Sequence, residues 1–136
     1  MLKRFFLKNS AFYLAAGFFV VDRFLKYLAM QGKSFYFFSL AKNPFIAFSI
    51  PLRGQLLNIS IILSLIGLIY LFFFYLNKKR FFATALSFVI LGALSNLMDR
   101  FAYGYVIDYV HFFGLSIFNL ADAMIIFGVI PFALWL

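Results

Sequence analysis

Four long apolar stretches follow one another along the chain, with short polar segments between them. A helix crossing a hydrocarbon core takes about 20 residues. Stretches near that length run from about Ser10 to Met30, Gln55 to Leu76, Phe81 to Met98 and Leu115 to Leu136. Only Asn77-Lys78-Lys79-Arg80 separates the second from the third, which predicts an antiparallel helical hairpin. The two remaining connections are about Gln31–Gly54 and Asp99–Gly114. In the first, the aromatic run Ser34–Leu40 lies between turn formers and predicts a short strand. Asn43-Pro44 marks a turn, after which Ile46–Ile50 is expected to pair back as a second strand. The pattern holds no internal repeat and no second domain.

Composition fixes the class. Of 136 residues, 66% are apolar and 12% charged, too few charges to clothe a soluble domain. The apolar runs are continuous, unlike the alternation of an outer-membrane barrel. An all-α membrane protein of four transmembrane helices and a single integral membrane domain, 1–136, is therefore expected. The net charge of +8 comes mostly from Lys and Arg flanking the apolar runs, which points to anionic lipid headgroups and away from nucleic acid. Lys3, Arg4 and Lys8 precede the first stretch, and Lys78, Lys79 and Arg80 join the middle pair. By the positive-inside rule both termini are expected in the cytoplasm. Basic residues before Ala11–Val21 are reminiscent of a cleavable leader, but the run continues to Met30 without a small-x-small site, so it is expected to remain as a span. The absence of cysteine excludes disulfides, thiolate metal ligands and a cysteine nucleophile.

The acidic residues then stand out. They are Asp22, Asp99, Asp108 and Asp122, each in or beside an apolar stretch, and glutamate is absent. A carboxylate near the middle of a bilayer helix costs about 2.5–3.5 kcal/mol on insertion scales, so each needs a partner or a function. Asp22 and Lys26 stand at i and i+4, an ion pair that would pin helix depth with the lysine snorkelling outward. Asn96, Asp99 and Arg100 close the third stretch. There Arg100 would anchor the helix end or grip a carboxylate or phosphate. Asn119 with Asp122 three residues on reads as a capping box. That leaves Asp108 unexplained, since no cation lies within four positions of it. His111 reads as an interfacial side chain, and a single histidine makes a zinc site implausible. Two aspartates brought close together cannot both ionise, so they share a proton. One can then take a proton from water while the other hydrogen-bonds a carbonyl.

Several blocks occur in order: Asp22-x-x-x-Lys26, Asn43 with Ala47-Phe48-Ser49, Asn96-Leu97-Met98-Asp99-Arg100, Gly104-x-Val106-x-Asp108 and Phe118-Asn119-x-Ala121-Asp122. Together they resemble bacterial lipoprotein signal peptidase, or signal peptidase II, from about Asp22 to Gly128. The resemblance implies a four-span aspartyl endopeptidase with a small β-like cradle on the outer face. Its active site would lie toward the outer side of the bacterial inner membrane. It implies Asp108 and Asp122 as the catalytic dyad, with Asn43, Asn96, Arg100 and Asn119 supporting the dyad and positioning substrate. Asp22, Lys26 and Asp99 would stabilise the architecture. The implied partners are membrane lipids and a prolipoprotein carrying a diacylglyceryl cysteine, acted on by a monomer, with no metal or cofactor. The chain departs from the family pattern at Leu91 and Ser95, where glycines are usual, and in a short Asp108–Asp122 segment. A proton- or cation-coupled transporter using the same aspartates is the rival reading, and a non-catalytic scaffold a third. The transporter predicts carboxylates spread through the membrane depth.

Overall fold

The computed structural model describes residues 2–44, 55–114 and 116–134. Its elements are α1 (Leu2–Met30), β1 (Phe38–Asn43), α2 (Gln55–Leu76), α3 (Arg80–Tyr103), β2 (Val106–Phe112), β3 (Ser116–Phe118) and α4 (Leu120–Ala133). Helices dominate because the apolar runs leave the backbone no polar partner but itself. Two of them, α2 and α3, are long and apolar enough to cross a bilayer, and α4 is a shorter apolar helix. The turn at residues 77–79 joins α2 to α3 as the charged tetrapeptide predicts, with Lys78 and Lys79 donating back to the Tyr75 carbonyl.

Two expectations need correction. Only the end of the aromatic run, Phe38–Leu40, enters a strand. Phe35 and Phe38 exchange backbone hydrogen bonds of 2.8 and 3.0 Å, closing a tight turn, and the strand begins only at Phe38. Its partner is β2, from a segment expected to be a plain connection, and the sheet is antiparallel with order β1-β2-β3. The Ile46–Ile50 strand lies outside the described residues. The fourth apolar stretch is also not one helix. Ser116–Phe118 pairs with Val110–Phe112, and the helix starts after Asn119, whose side chain accepts from the Asp122 N–H. Aromatic and β-branched residues beside an N-cap favour this split over a helix running on from Leu115.

Helix packing sets the position of α4. A Cβ built on Gly128 would come within 2.5 Å of the Ala85 carbonyl oxygen, and one on Gly92 within 2.6 Å of the Ala121 carbonyl oxygen. Glycine at both positions lets the α3 and α4 backbones meet. Ala15, Phe88 and Met124 fill the space where α1 joins them. A second buried cluster, Ala29, Ile107 and Tyr109, fastens β2 to the end of α1. Gly104, at φ 80°, ends α3 in a left-handed turn, and its N–H donates to the Arg100 carbonyl. That turn feeds the chain into β2.

Candidate active site

The site grows from one ion pair on α1. Lys26 Nζ lies 3.1 Å from Asp22 Oδ2, as the i, i+4 spacing predicts. The lysine does not snorkel. It is 1% exposed and turns inward to Asp99 Oδ2 at 2.7 Å, because α3 offers it a carboxylate and an amide there. Asp99 also pairs with Arg23 at 2.5 Å and accepts from the Ile107 N–H at 3.2 Å. Asp22 accepts from Ser95 Oγ at 2.6 Å, from the Tyr109 hydroxyl at 2.8 Å and from the Ala121 N–H at 3.1 Å. One buried carboxylate thus ties α1 to α3, β2 and α4.

Asp108 and Asp122 are held differently. Alternation along β2 sends Asp108 to the face that carries Asn43 on β1. Asn43 pairs in register with Val106, so its amide reaches diagonally to Asp108 Oδ2 at 2.9 Å. Asn119 Nδ2 donates to Asp108 Oδ1 at 2.7 Å, while Asn119 Oδ1 accepts the Asp122 N–H at 2.9 Å. Asp122 Oδ2 closes the capping box on the Asn119 N–H at 3.3 Å. Asn96 Nδ2 donates to Asp122 Oδ1 at 2.7 Å, and Asn119 Nδ2 also reaches Asn96 Oδ1 at 3.1 Å. Both carboxyl groups therefore hang on one amide framework. Arg100, one turn beyond Asn96, donates to the Asn96 carbonyl at 3.4 Å and lies within electrostatic reach of Asp122, Asp108 and Asp99.

Burial pushes the Asp108 carboxyl up to about 6; hydrogen bonds from Asn43 and Asn119 and the Lys26 charge act against this, and the Asp122 charge adds to it. A carboxyl at about 6 can hold or release a proton near neutrality, which suits acid–base work. Burial likewise raises the neighbouring Tyr109 hydroxyl, which stays protonated as donor to Asp22. Asp122 borders an apolar groove of about 450 Å³ along α4, lined also by Phe118, Ile126 and Ile130. His111 lies in β2, its Nε2 2.7 Å from Ser39 Oγ and 3.1 Å from the Ser39 carbonyl oxygen.

The structure brings Asp22, Lys26, Asn43, Asn96, Asp99, Arg100, Asp108, Asn119 and Asp122 into one connected region. Residues 14–136 match the signal peptidase (SPase) II family. The chain belongs to the signal peptidase II family. A lipoprotein signal peptidase of Clostridium novyi is 37% identical, with 86% of this chain and 90% of that protein aligned. One of Helicobacter pylori is also 37% identical, covering 90% of this chain and 85% of its own. A solved structure described as a bacterial membrane enzyme, obtained in meso at 2.3 Å, superposes with TM-score 0.78 at 28% identity, covering 93% of this chain and 87% of that one. A second, at 1.9 Å, gives TM-score 0.76 at 27% identity, covering 93% and 92%. Membership makes the chain a signal peptidase II and a protease, and the family's aspartic type agrees with the groups present.

Two members of the network escaped the sequence reading. Ser95 registered only as a replaced glycine, although it stands one turn before Asp99 on the same helix face. Tyr109 sits beside Asp108, but nothing local announces that its hydroxyl meets Asp22, 87 residues away.

Proposed function

We propose that this chain removes the signal peptide from diacylglyceryl-modified prolipoproteins, cutting before the lipidated cysteine, with Asp108 and Asp122 as the dyad that activates water. The observation that carries this reading is Asn119, which donates to Asp108 while its own carbonyl oxygen caps the helix turn bearing Asp122. One carboxylate takes a proton from water as the oxygen attacks the scissile carbonyl carbon. The other, protonated, donates to the carbonyl oxygen. Collapse of the tetrahedral intermediate breaks the C–N bond, and the leaving nitrogen takes up a proton from the dyad. Asn43, Asn96, Arg100 and Asn119 hold the pair and orient substrate; Asp22, Lys26 and Asp99 keep the frame.

The same reading sets the chain in the bacterial inner membrane as a four-span monomer, termini cytoplasmic and site toward the outer face. The groove beside Asp122 suits an apolar substrate segment arriving laterally from lipid. Transport finds no support: the four aspartates share one connected network instead of being strung along a pathway. The test is cleavage of a diacylglyceryl-modified prolipoprotein by purified protein in detergent. Wild type is expected to cleave, and Asp108→Asn and Asp122→Asn to lose about a thousandfold or more in kcat. Cleavage surviving either change would remove the dyad.

A further inference from the structure

The orientation of the Asn96 amide is decided by three neighbours. Its Oδ1 accepts from Lys26 Nζ at 2.8 Å and from Asn119 Nδ2 at 3.1 Å, while its Nδ2 donates to Asp122 at 2.7 Å. Turning the amide over would set its NH₂ against two donors and its oxygen against a carboxylate. An ammonium has no acceptor with which to accommodate that, so Lys26 permits one orientation only. We propose that Lys26 is a positioning residue for the dyad: anchored by Asp99 and Asp22, it locks the Asn96 side chain so that Nδ2 faces Asp122. This deepens the peptidase reading above and rests on it.

The surrounding charges make the role separable from simple folding. α1 brings Asp22 to the lysine and Arg23 to Asp99, α3 brings Asp99 to the lysine and Arg100 near the acids, β2 brings Asp108 and, against Asp22, Tyr109, and α4 brings Asp122. Asp22, Arg23, Lys26 and Asp99 together are neutral. Removing Lys26 therefore takes away the shorter of the two bonds that hold Asn96 Oδ1, which loosens the amide, and leaves a net negative cluster facing both dyad carboxyls. Lys26 does not line the groove beside Asp122, so its loss should act on turnover and leave substrate binding in place.

The experiment measures kcat, KM and the pH–rate profile for prolipoprotein cleavage in detergent, with thermal unfolding alongside. Lys26→Met is expected to lower kcat by about tenfold to a hundredfold, leave KM within about twofold of wild type, and move the profile about one unit toward higher pH. Ser95→Ala loosens the same cluster but keeps the Lys26–Asn96 contact. It should lower the unfolding midpoint and leave the profile in place. Lys26→Met with Asp22→Asn restores neutrality without restoring the amide lock, so the profile returns while kcat stays low. If Lys26→Met alone does not fold, that double variant carries the test. Wild-type kcat in either lysine variant, or an equal profile shift in Ser95→Ala, overturns the proposal. A wild type that does not cleave overturns the peptidase reading and this proposal with it; a cleaving wild type with unaffected lysine variants overturns this proposal alone.

Discussion

Asp22 and Asp99 on one side of the site, and Asp108 and Asp122 on the other, are the same side chain in two settings. The first two are paired with Lys26 and Arg23, whose positive charges stand directly against theirs. The other two take hydrogen bonds from the neutral amides of Asn43, Asn96 and Asn119, which hold a carboxyl group and bring no charge of their own. An amide holds position and leaves the proton free to move. A cation holds position and cancels the carboxylate's charge. On the proposed reading, the distinction separates frame from chemistry within one buried network.

The severest way to break that comparison is Asn119→Asp. A carboxylate still accepts the Asp122 N–H and caps α4, but it can no longer donate to Asp108 and places a third acid against the pair. Prolipoprotein cleavage is expected to fall about a hundredfold to a thousandfold, and the unfolding midpoint to drop with it, because an acid replaces the buried NH₂ that served Asp108, Asn96 and the Ile107 carbonyl. Wild-type kcat per folded molecule would mean that Asn119 serves the fold alone. Next is Gly128→Ala, whose added methyl meets the Ala85 carbonyl and Val89 at 2.5 Å and forces α4 off α3. A loss of about 1–3 kcal/mol in denaturant titration is expected, with a fall in cleavage as Asp122 shifts. An unchanged midpoint would mean that the two helices already have room between them.

The mildest is Asn43→Ala. Its amide stabilises the charged form of Asp108, so its removal should raise that carboxyl beyond about 6 and carry the pH–rate profile a few tenths of a unit upward. Stability gives an independent reading. A carboxyl raised on folding binds its proton more tightly in the folded chain, so its favourable contribution is full below the ordinary value of 3.8 and is lost as pH climbs through about 6. Thermal midpoints across that window should fall more steeply in Asn43→Ala than in wild type. Parallel slopes would show that Asn43 does not bear on the Asp108 proton.

What the sequence made legible was local. Apolar runs located the helices, the Asp22–Lys26 spacing located an ion pair, and Asn119 with Asp122 located a capping box, since each is a contact between residues less than two turns apart. The start of the first strand was set too early, and its partner β2 missed, for the same reason. Val106–Phe112 lacks clean alternation because both its faces are covered over most of its length, and Phe35–Phe38 spends its aromatic character on a turn. The inward course of Lys26 depended on Asp99 and Asn96, which only the assembled bundle brings near. Motif order indicated which aspartates belong together, and no local rule would have joined Asp22 to Tyr109.

β2 has one further consequence. Neighbouring residues on it point to opposite sides: Asp108 meets the amides, and Tyr109 reaches Asp22 and receives the Leu120 N–H at 3.0 Å. Adding a single codon between Gly104 and Asp108 would put the carboxyl where Tyr109 now meets Asp22, and deleting one would put the phenol where Asp108 now meets the amides. Drift in chain length should therefore be tolerated at the tip around Phe113 and Gly114, while the few positions leading into this strand stay locked in number whatever their identity.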